Sequence, residues 1–215
     1  MTLPPLYPIL DTASLVSRGI APAEAARAML DGGARILQFR HKGHFSRGVF
    51  AQAEQVAAIC QARGALFVID DRADIARLLD AGLHVGQDDL PPALARRVLG
   101  DKRVLGFSTH NAGQLRAAAA DPVDYLALGP VFATASKENP DAVIGAEGVR
   151  QWRGLASRPL VAIGGITRQN ALAVLEAGAD SLAVIGGLLP EPCTPASIRQ
   201  RTEEWTRLLE RRRQG

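Results

Sequence analysis

Eight short apolar runs recur along this chain, and nearly every one is followed by a segment with helical periodicity. The runs are Leu6–Leu10, Ile36–Arg40, Leu66–Asp70, Leu83–Gly86, Val104–Ser108, Tyr125–Leu128, Leu160–Ile163 and Ser181–Ile185. Runs of four to six residues suit buried strands. Between them lie helical patterns at Pro22–Asp31, Ser46–Arg63, Asp71–Asp80, Pro91–Leu99, Asn111–Ala120, Val149–Ala156 and Thr167–Ala177, and Ala196–Arg212 closes the chain. A strand joined to the next through a helix must pair with it in parallel. Parallel strands need cover on the outside, which the helices supply. Pro22 and Pro91 suit first helical turns, and "DGGA", "DAGLH" and "EAGAD" place Gly where a helix stops and a strand begins. Eight such units predict a single α/β domain over 1–215, a (β/α)8 TIM barrel. A doubly wound open sheet is the other arrangement of these elements. Its G-x-G-x-x-G after the first strand is absent.

Composition excludes several classes. The net charge is +3 and aromatics make up 5% of residues. No basic stretch is interleaved with aromatics, so nucleic-acid binding is not expected. The basic "ERRRQG" end suits a solvated helix terminus. Cys60 and Cys193 stand apart, without C-x-x-C or metal-ligand spacing. No stretch reaches the length of a membrane span, and "MTLPPLYPIL" lacks a basic n-region. A cytoplasmic protein working on small molecules is expected, with no membrane partner. Homo-oligomerisation stays open.

In a barrel, chemistry collects where strands end and helices begin. The second strand ends "ILQFRHK". Side chains alternate faces, so Gln38 and Arg40 share the inward face with Ile36, while Leu37 and Phe39 face the helices. Lys42 follows at the rim. Two cations and an amide suit an anionic, hydrogen-bonding ligand; the alternative is that Arg40 and Lys42 form salt bridges at the rim. The third strand ends in Asp70 and Asp71, and "HVGQDD" supplies Asp89. Each carboxylate could cap the next helix. Together, beside Arg40 and Lys42, they could hold Mg2+ with a ligand phosphate. Ser108 or Thr109 is placed to cap the helix starting near Asn111, or to receive a phosphate. The longest connection, "LGPVFATASKENPDAVIGAEG", carries Thr134, Ser136 and Lys137. Long connections often serve as binding loops. Gly-Gly pairs follow strands seven and eight, at the positions where barrels commonly bind phosphate. His84 reads as a satisfied structural histidine. No nucleophile–base order stands out, and the four histidines lack zinc spacing.

These motifs resemble the thiamine-phosphate synthase family over nearly the whole chain. The resemblance rests on "QFRHK", the "DD" at 70–71, "HVGQDD", "GFSTH", "LGPVFATASK", "AIGGI" and "VIGG". It implies a (β/α)8 barrel that joins 4-amino-5-hydroxymethyl-2-methylpyrimidine diphosphate to a thiazole phosphate with release of diphosphate. The family route is dissociative, through a pyrimidine-methyl cation. The resemblance implies Mg2+ on Asp71 and Asp89, and pyrimidine-diphosphate contacts along Gln38, Phe39, Arg40, His41 and Lys42. It adds Asp70, Ser108 and Lys137 to that subsite. It places the thiazole on Thr134, Ala135 and Ser136, and the thiazole phosphate on Gly165, Ile185 and Gly186. Arg40, Lys42, Ser108 and Lys137 are the implied catalytic contacts.

The chain departs from the family pattern at three positions. His41 stands where Glu is usual, Asp70 where Asn is frequent and Gly186 where Ser is common. The nearest competing reading is the thiazole tautomerase of the same fold. That relative lacks the paired metal carboxylates and carries a His where Pro130 stands here. His110 is the residue that would serve it. A non-catalytic barrel binding thiamine precursors and a sugar-phosphate isomerase are further alternatives.

Overall fold

The computed structural model describes residues 2–134 and 142–210. Eight parallel strands close into a barrel in sequential order, β8 pairing back onto β1. They are β1 (Leu6–Asp11), β2 (Ile36–Arg40), β3 (Leu66–Asp70), β4 (Gly82–Val85), β5 (Leu105–Thr109), β6 (Tyr125–Leu128), β7 (Leu160–Ile163) and β8 (Ser181–Val184). The helices of the surrounding shell include α1 (Thr12–Val16), α2 (Pro22–Asp31), α3 (Arg47–Ala62), α4 (Ala73–Leu78) and α5 (Pro92–Leu99). They continue with α6 (Ala112–Ala117), α7 (Gly145–Trp152), α8 (Ala171–Glu176) and α9 (Pro195–Glu210). Among the described residues, no helix is long and apolar enough to cross a membrane.

Strand alternation divides the apolar residues into two cores. The larger lies between strands and helices and takes Leu10, Leu37, Phe39, Ile69, Leu83, Leu126 and Leu182, with Trp205 of α9 among its helical members. The smaller fills the barrel with Tyr7, Ile9, Ile36, Val68, Tyr125, Ala127, Val161 and Ala183. This confirms the expected faces of "ILQFR". Leu37 and Phe39 are at most 1% exposed in the outer core, and Gln38 points inward.

Several boundaries differ from the sequence reading, and three of them shape the loops at the strand ends. Strand β1 runs one residue further, to Asp11, whose carboxylate accepts from Ser14 N and opens the five-residue α1. That short helix has too few residues to show periodicity. Helix α7 starts at Gly145 rather than Val149, which shortens the connection after β6. Helix α8 starts at Ala171 rather than Thr167, because a turn closed by Asn170 on Thr167 N precedes it.

Gly106 is the tightest position inside the barrel. A Cβ there would stand 2.0 Å from Tyr125 Cζ. The missing side chain lets the Tyr125 ring lie across the interior. Overpacking of this kind typically costs about 1–3 kcal/mol. Gly106→Ala should lower the unfolding free energy by that amount in chemical denaturation, and an unchanged midpoint would show the Tyr125 ring free to move aside.

Candidate active site at the barrel mouth

All eight strands are parallel, so their C-terminal ends open on one side. There the inward side chains and the following loops enclose a cavity of about 750 Å3. Gln38, Arg40, Lys42, Asp70, Asp71, Asp89, Ser108, Thr134, Gly165, Ile185 and Gly186 all line it. Phe39 and His41 do not. Phe39 packs toward the helices, and His41 turns onto Thr12, Nδ1 to Oγ1 at 2.8 Å. Their side chains are thus withdrawn from the ligand-facing set. Ala135, Ser136 and Lys137 lie outside the described residues.

The mouth is held by opposed charges. Lys42 Nζ lies 2.9 Å from Asp70 Oδ2 and donates to Asp71 Oδ2. Arg40 Nη1 donates to Asp11 Oδ2, and its Nε stands 3.7 Å from Asp70 Oδ2. Asp70 Oδ2 is buried, and its contact with Lys42 is an ion pair without hydrogen-bond alignment. Burial would lower the Lys42 pKa, but Asp70 and Asp71 outweigh it and hold the ammonium above its ordinary value. Burial would raise Asp11, yet hydrogen bonds from Ser14 and Arg40 keep it below the ordinary range. Asp71 moves the other way. Burial first, then the Asp70 charge and a hydrogen bond with Asp89, push it up to about 7. Four carboxylates thus face two cations, an acidic excess at a mouth read from sequence as anion-binding.

Neither Asp71 nor Asp89 serves as a helix cap. Helix α4 has Arg72 at its N-cap and α5 has Pro91, both without a side-chain cap bond. Asp89 Oδ2 instead accepts from Gly86 N at 2.7 Å, closing the turn after β4. Asp71 has a left-handed backbone, φ 62°, a conformation that Asp and Asn tolerate better than most residues. The capping alternative for Ser108 and Thr109 fails as well. Asn111 caps α6, and Thr109 donates to Ala127 O at 2.8 Å in the outer shell.

Beneath the charges runs a buried polar chain that sequence reasoning missed. Gln38 Nε2 donates to Tyr7 Oη at 3.2 Å, and Tyr7 Oη lies 2.9 Å from Tyr125 Oη. His84 Nδ1 lies 3.0 Å from Tyr125 Oη, and His84 Nε2 lies 2.8 Å from Ser108 Oγ. Burial pushes both phenol pKa values up and the His84 pKa down. All three side chains are therefore neutral. His84 is satisfied, as expected, but its partner is a site residue. The only signal in the sequence was inward polarity at strand spacing, Tyr7 with Asp11 and His84 on β4.

The glycine loops play unequal parts. Gly164 and Gly165 have φ of 98° and 61°, and added Cβ atoms would meet Pro130 Cα at 2.6 Å and Ala133 O at 2.4 Å. This pair lets the loop after β7 lie flush against the loop after β6. Gly186, after β8, has open space where a Cβ would be.

The thiamine monophosphate synthase family model matches residues 6–188. The chain belongs to that family. Across 97% of both chains it is 44% identical to thiamine-phosphate synthase of Koribacter versatilis. It is 40% identical to that of Chloroflexus aurantiacus, over 91% of this chain and 89% of the relative. Among solved structures it resembles thiamine phosphate pyrophosphorylase from Pyrococcus furiosus, with TM-score 0.82 and 32% identity, covering 96% and 95% of the two chains. Family membership agrees with the fold reached from the alternation of strands and helices.

The raised Asp71 pKa gives a pH test. The unfolded carboxyl titrates near 3.8 and the folded one near 7. Between those values the native state holds the extra proton, so this group's contribution weakens stability as pH rises through the window. Asp71→Asn keeps the left-handed backbone and removes the penalty. Relative to the parent it should gain stability from pH 4 to pH 8 in denaturant titrations. A constant difference across that range would contradict the assigned shift.

Proposed function

We propose that this chain makes thiamine phosphate from an aminopyrimidine methyl diphosphate and a thiazole phosphate. The observation that carries the reading is the interleaving of Arg40 and Lys42 with Asp70, Asp71 and Asp89 at one barrel mouth, within a chain of the matching family. The carbon–oxygen bond to diphosphate breaks, diphosphate leaves with the electron pair, and the thiazole nitrogen attacks the resulting pyrimidine-methyl cation. No side-chain nucleophile is needed. The residues position two ligands and stabilise charge on the leaving group.

The donor set fits Mg2+. Asp71 and Asp89 are hard oxygen ligands that line the same cavity. Among the described residues, no group of three or more His, Cys, Asp or Glu is arranged to hold a metal. Mg2+ commonly takes one or two carboxylates, with waters and substrate phosphates completing its shell. When bound, it would supply positive charge to the diphosphate oxygens. The acidic excess at the mouth supports this reading, because a diphosphate meeting four carboxylates and two cations needs added positive charge. Asp71 would release its proton to become a ligand beside Asp89. Arg40, oriented by Asp11, and Lys42, oriented by Asp70 and Asp71, would grip the diphosphate. Gln38 and Ser108 would face the pyrimidine, and Thr134, Gly165, Ile185 and Gly186 would border the thiazole phosphate. The loop lysine Lys137 completes the proposed set, with Ala135 and Ser136 beside it. Two free cysteines, Cys60 and Cys193, support a reducing, cytoplasmic setting.

Product analysis with both phosphorylated substrates tests the reading. Thiamine phosphate and diphosphate should form with Mg2+ and fail to form with chelator. Tautomerised thiazole as the only product would assign the related activity instead, and binding without turnover would make the barrel a sensor.

Arg40→Lys keeps the charge and loses the planar fork. One charge-assisted hydrogen bond contributes about 1.5–3 kcal/mol, so the single-turnover rate should fall roughly 10- to 100-fold. An unchanged chemical step in folded Arg40→Lys protein would reduce Arg40 to a rim ion pair.

A further inference from the structure

The polar chain beneath the mouth has a direction, and that direction reaches the ligand. Five strands contribute to it: Gln38 from β2, Tyr7 from β1, Tyr125 from β6, His84 from β4 and Ser108 from β5. Gln38, His84, Tyr7 and Tyr125 are all buried. We infer that Tyr7, Tyr125 and His84 are positioning residues that orient every proton in this chain, so that Ser108 meets the ligand as a hydrogen-bond donor and Gln38 as an acceptor. The inference rests on the proposed aminopyrimidine reading for the identity of that ligand, and on nothing beyond the protein for the direction itself.

The direction follows from counting protons. An amide nitrogen only donates. Gln38 Nε2 therefore gives its hydrogen to Tyr7 Oη, whose own proton must go elsewhere. The neighbour it has is Tyr125 Oη at 2.9 Å. Tyr125, having accepted, must pass its own proton to His84 Nδ1. A neutral imidazole carries one proton, so His84 holds it on Nε2 and donates to Ser108 Oγ at 2.8 Å. Ser108 then has an accepted bond on the barrel side, and its hydroxyl proton turns to the cavity it lines. Gln38, with its nitrogen committed to Tyr7, turns its carbonyl the same way. Burial, which keeps the phenols and the imidazole neutral, is what prevents an extra or missing proton from scrambling the sequence.

Reversing the Gln38 amide reverses everything. Its oxygen would accept from Tyr7, each later bond would turn round, His84 would carry its proton on Nδ1, and Ser108 would face the ligand as an acceptor. The His84 tautomer thus reports the state of a residue two strands away, through hydroxyls from β1 and β6. The direction inferred here matches a ligand edge with an N–H beside a ring nitrogen lone pair, as an aminopyrimidine presents. The reversed chain matches a ring N–H beside a carbonyl. A site whose buried polar groups are committed in advance discriminates strongly between such edges.

The test is nitrogen NMR on the full chain, labelled at histidine and free of substrate. His84 should show a protonated Nε2 and an unprotonated Nδ1 at neutral pH. A protonated Nδ1 would overturn the inference. A second measurement uses Tyr125→Phe, which keeps the ring that Gly106 accommodates and deletes the hydroxyl link. Its His84 should lose the single-tautomer signature, and kcat/KM for the pyrimidine substrate should fall about tenfold, as expected for one net hydrogen bond, with KM for the thiazole substrate unchanged. A tautomer and kinetics both unaltered would make the chain mere filling. If the variant does not fold, the parent spectrum alone decides. Because that spectrum needs no turnover, failure to make thiamine phosphate leaves the directional inference standing, and a wrong tautomer in an active enzyme refutes only the inference.

Discussion

Closing parallel strands into a ring leaves each strand residue two destinations, the interior or the helical shell. Every other feature follows from that restriction. It sends Leu37 and Phe39 outward and Gln38 and Arg40 inward from one five-residue strand. It also gathers the ends of all the strands on one side, so residues from distant parts of the chain converge. Arg40 meets Asp11 across 29 positions and Tyr7 meets Tyr125 across 118. An apolar interior at the bottom of the barrel and a polar one near the mouth come from the same alternation, read two residues at a time.

The mouth itself is a compromise between stability and ligand binding. Asp70 and Asp71 are neighbours, both facing Lys42, with Asp89 against Asp71. Burial, and then the neighbouring carboxylates, raise the pKa of Asp71, a stability penalty at neutral pH that a purely structural site would avoid. Asp71 also takes a left-handed backbone where glycine would be easier. Strain and charge repulsion at the same residue point to a role beyond holding the fold. The interior chain is different in kind. Its hydrogen bonds are satisfied and its members neutral, and it gives Gln38 and Ser108 a rigid floor beneath a charged rim.

Much of this was legible in the sequence, for reasons that can be named. Period-two alternation in "ILQFR" and the Gly-marked helix ends recorded the barrel, because both are local rules. The carboxylates at 70–71 and 89 were recognisable as a group once adjacent strand ends were compared. Asp11 was missed because β1 was read one residue short, leaving Arg40 without its main anchor. The capping readings of Asp71, Asp89 and Ser108 were reasonable locally; Asp71 and Ser108 yielded to Lys42 and His84 from other strands, and Asp89 to Gly86 N within its own turn. Tyr7, Tyr125 and His84 were invisible as a set. Each looks like an ordinary buried strand residue, and only barrel closure brings their hydroxyls and ring nitrogens within 3.0 Å of their neighbours.

The central proposal is that Asp71 and Asp89 form a cation site in which the proton on Asp71 must leave before metal binds. Titrating Mg2+ into weakly buffered protein at pH 6, and following proton release, tests it most directly. Because metal ligands must be deprotonated, and Asp71 titrates near 7, the parent should release about one proton per chain on binding. Asp71→Asn should release none. Mg2+ binding without proton release, or equal release from Asp71→Asn, would contradict the account.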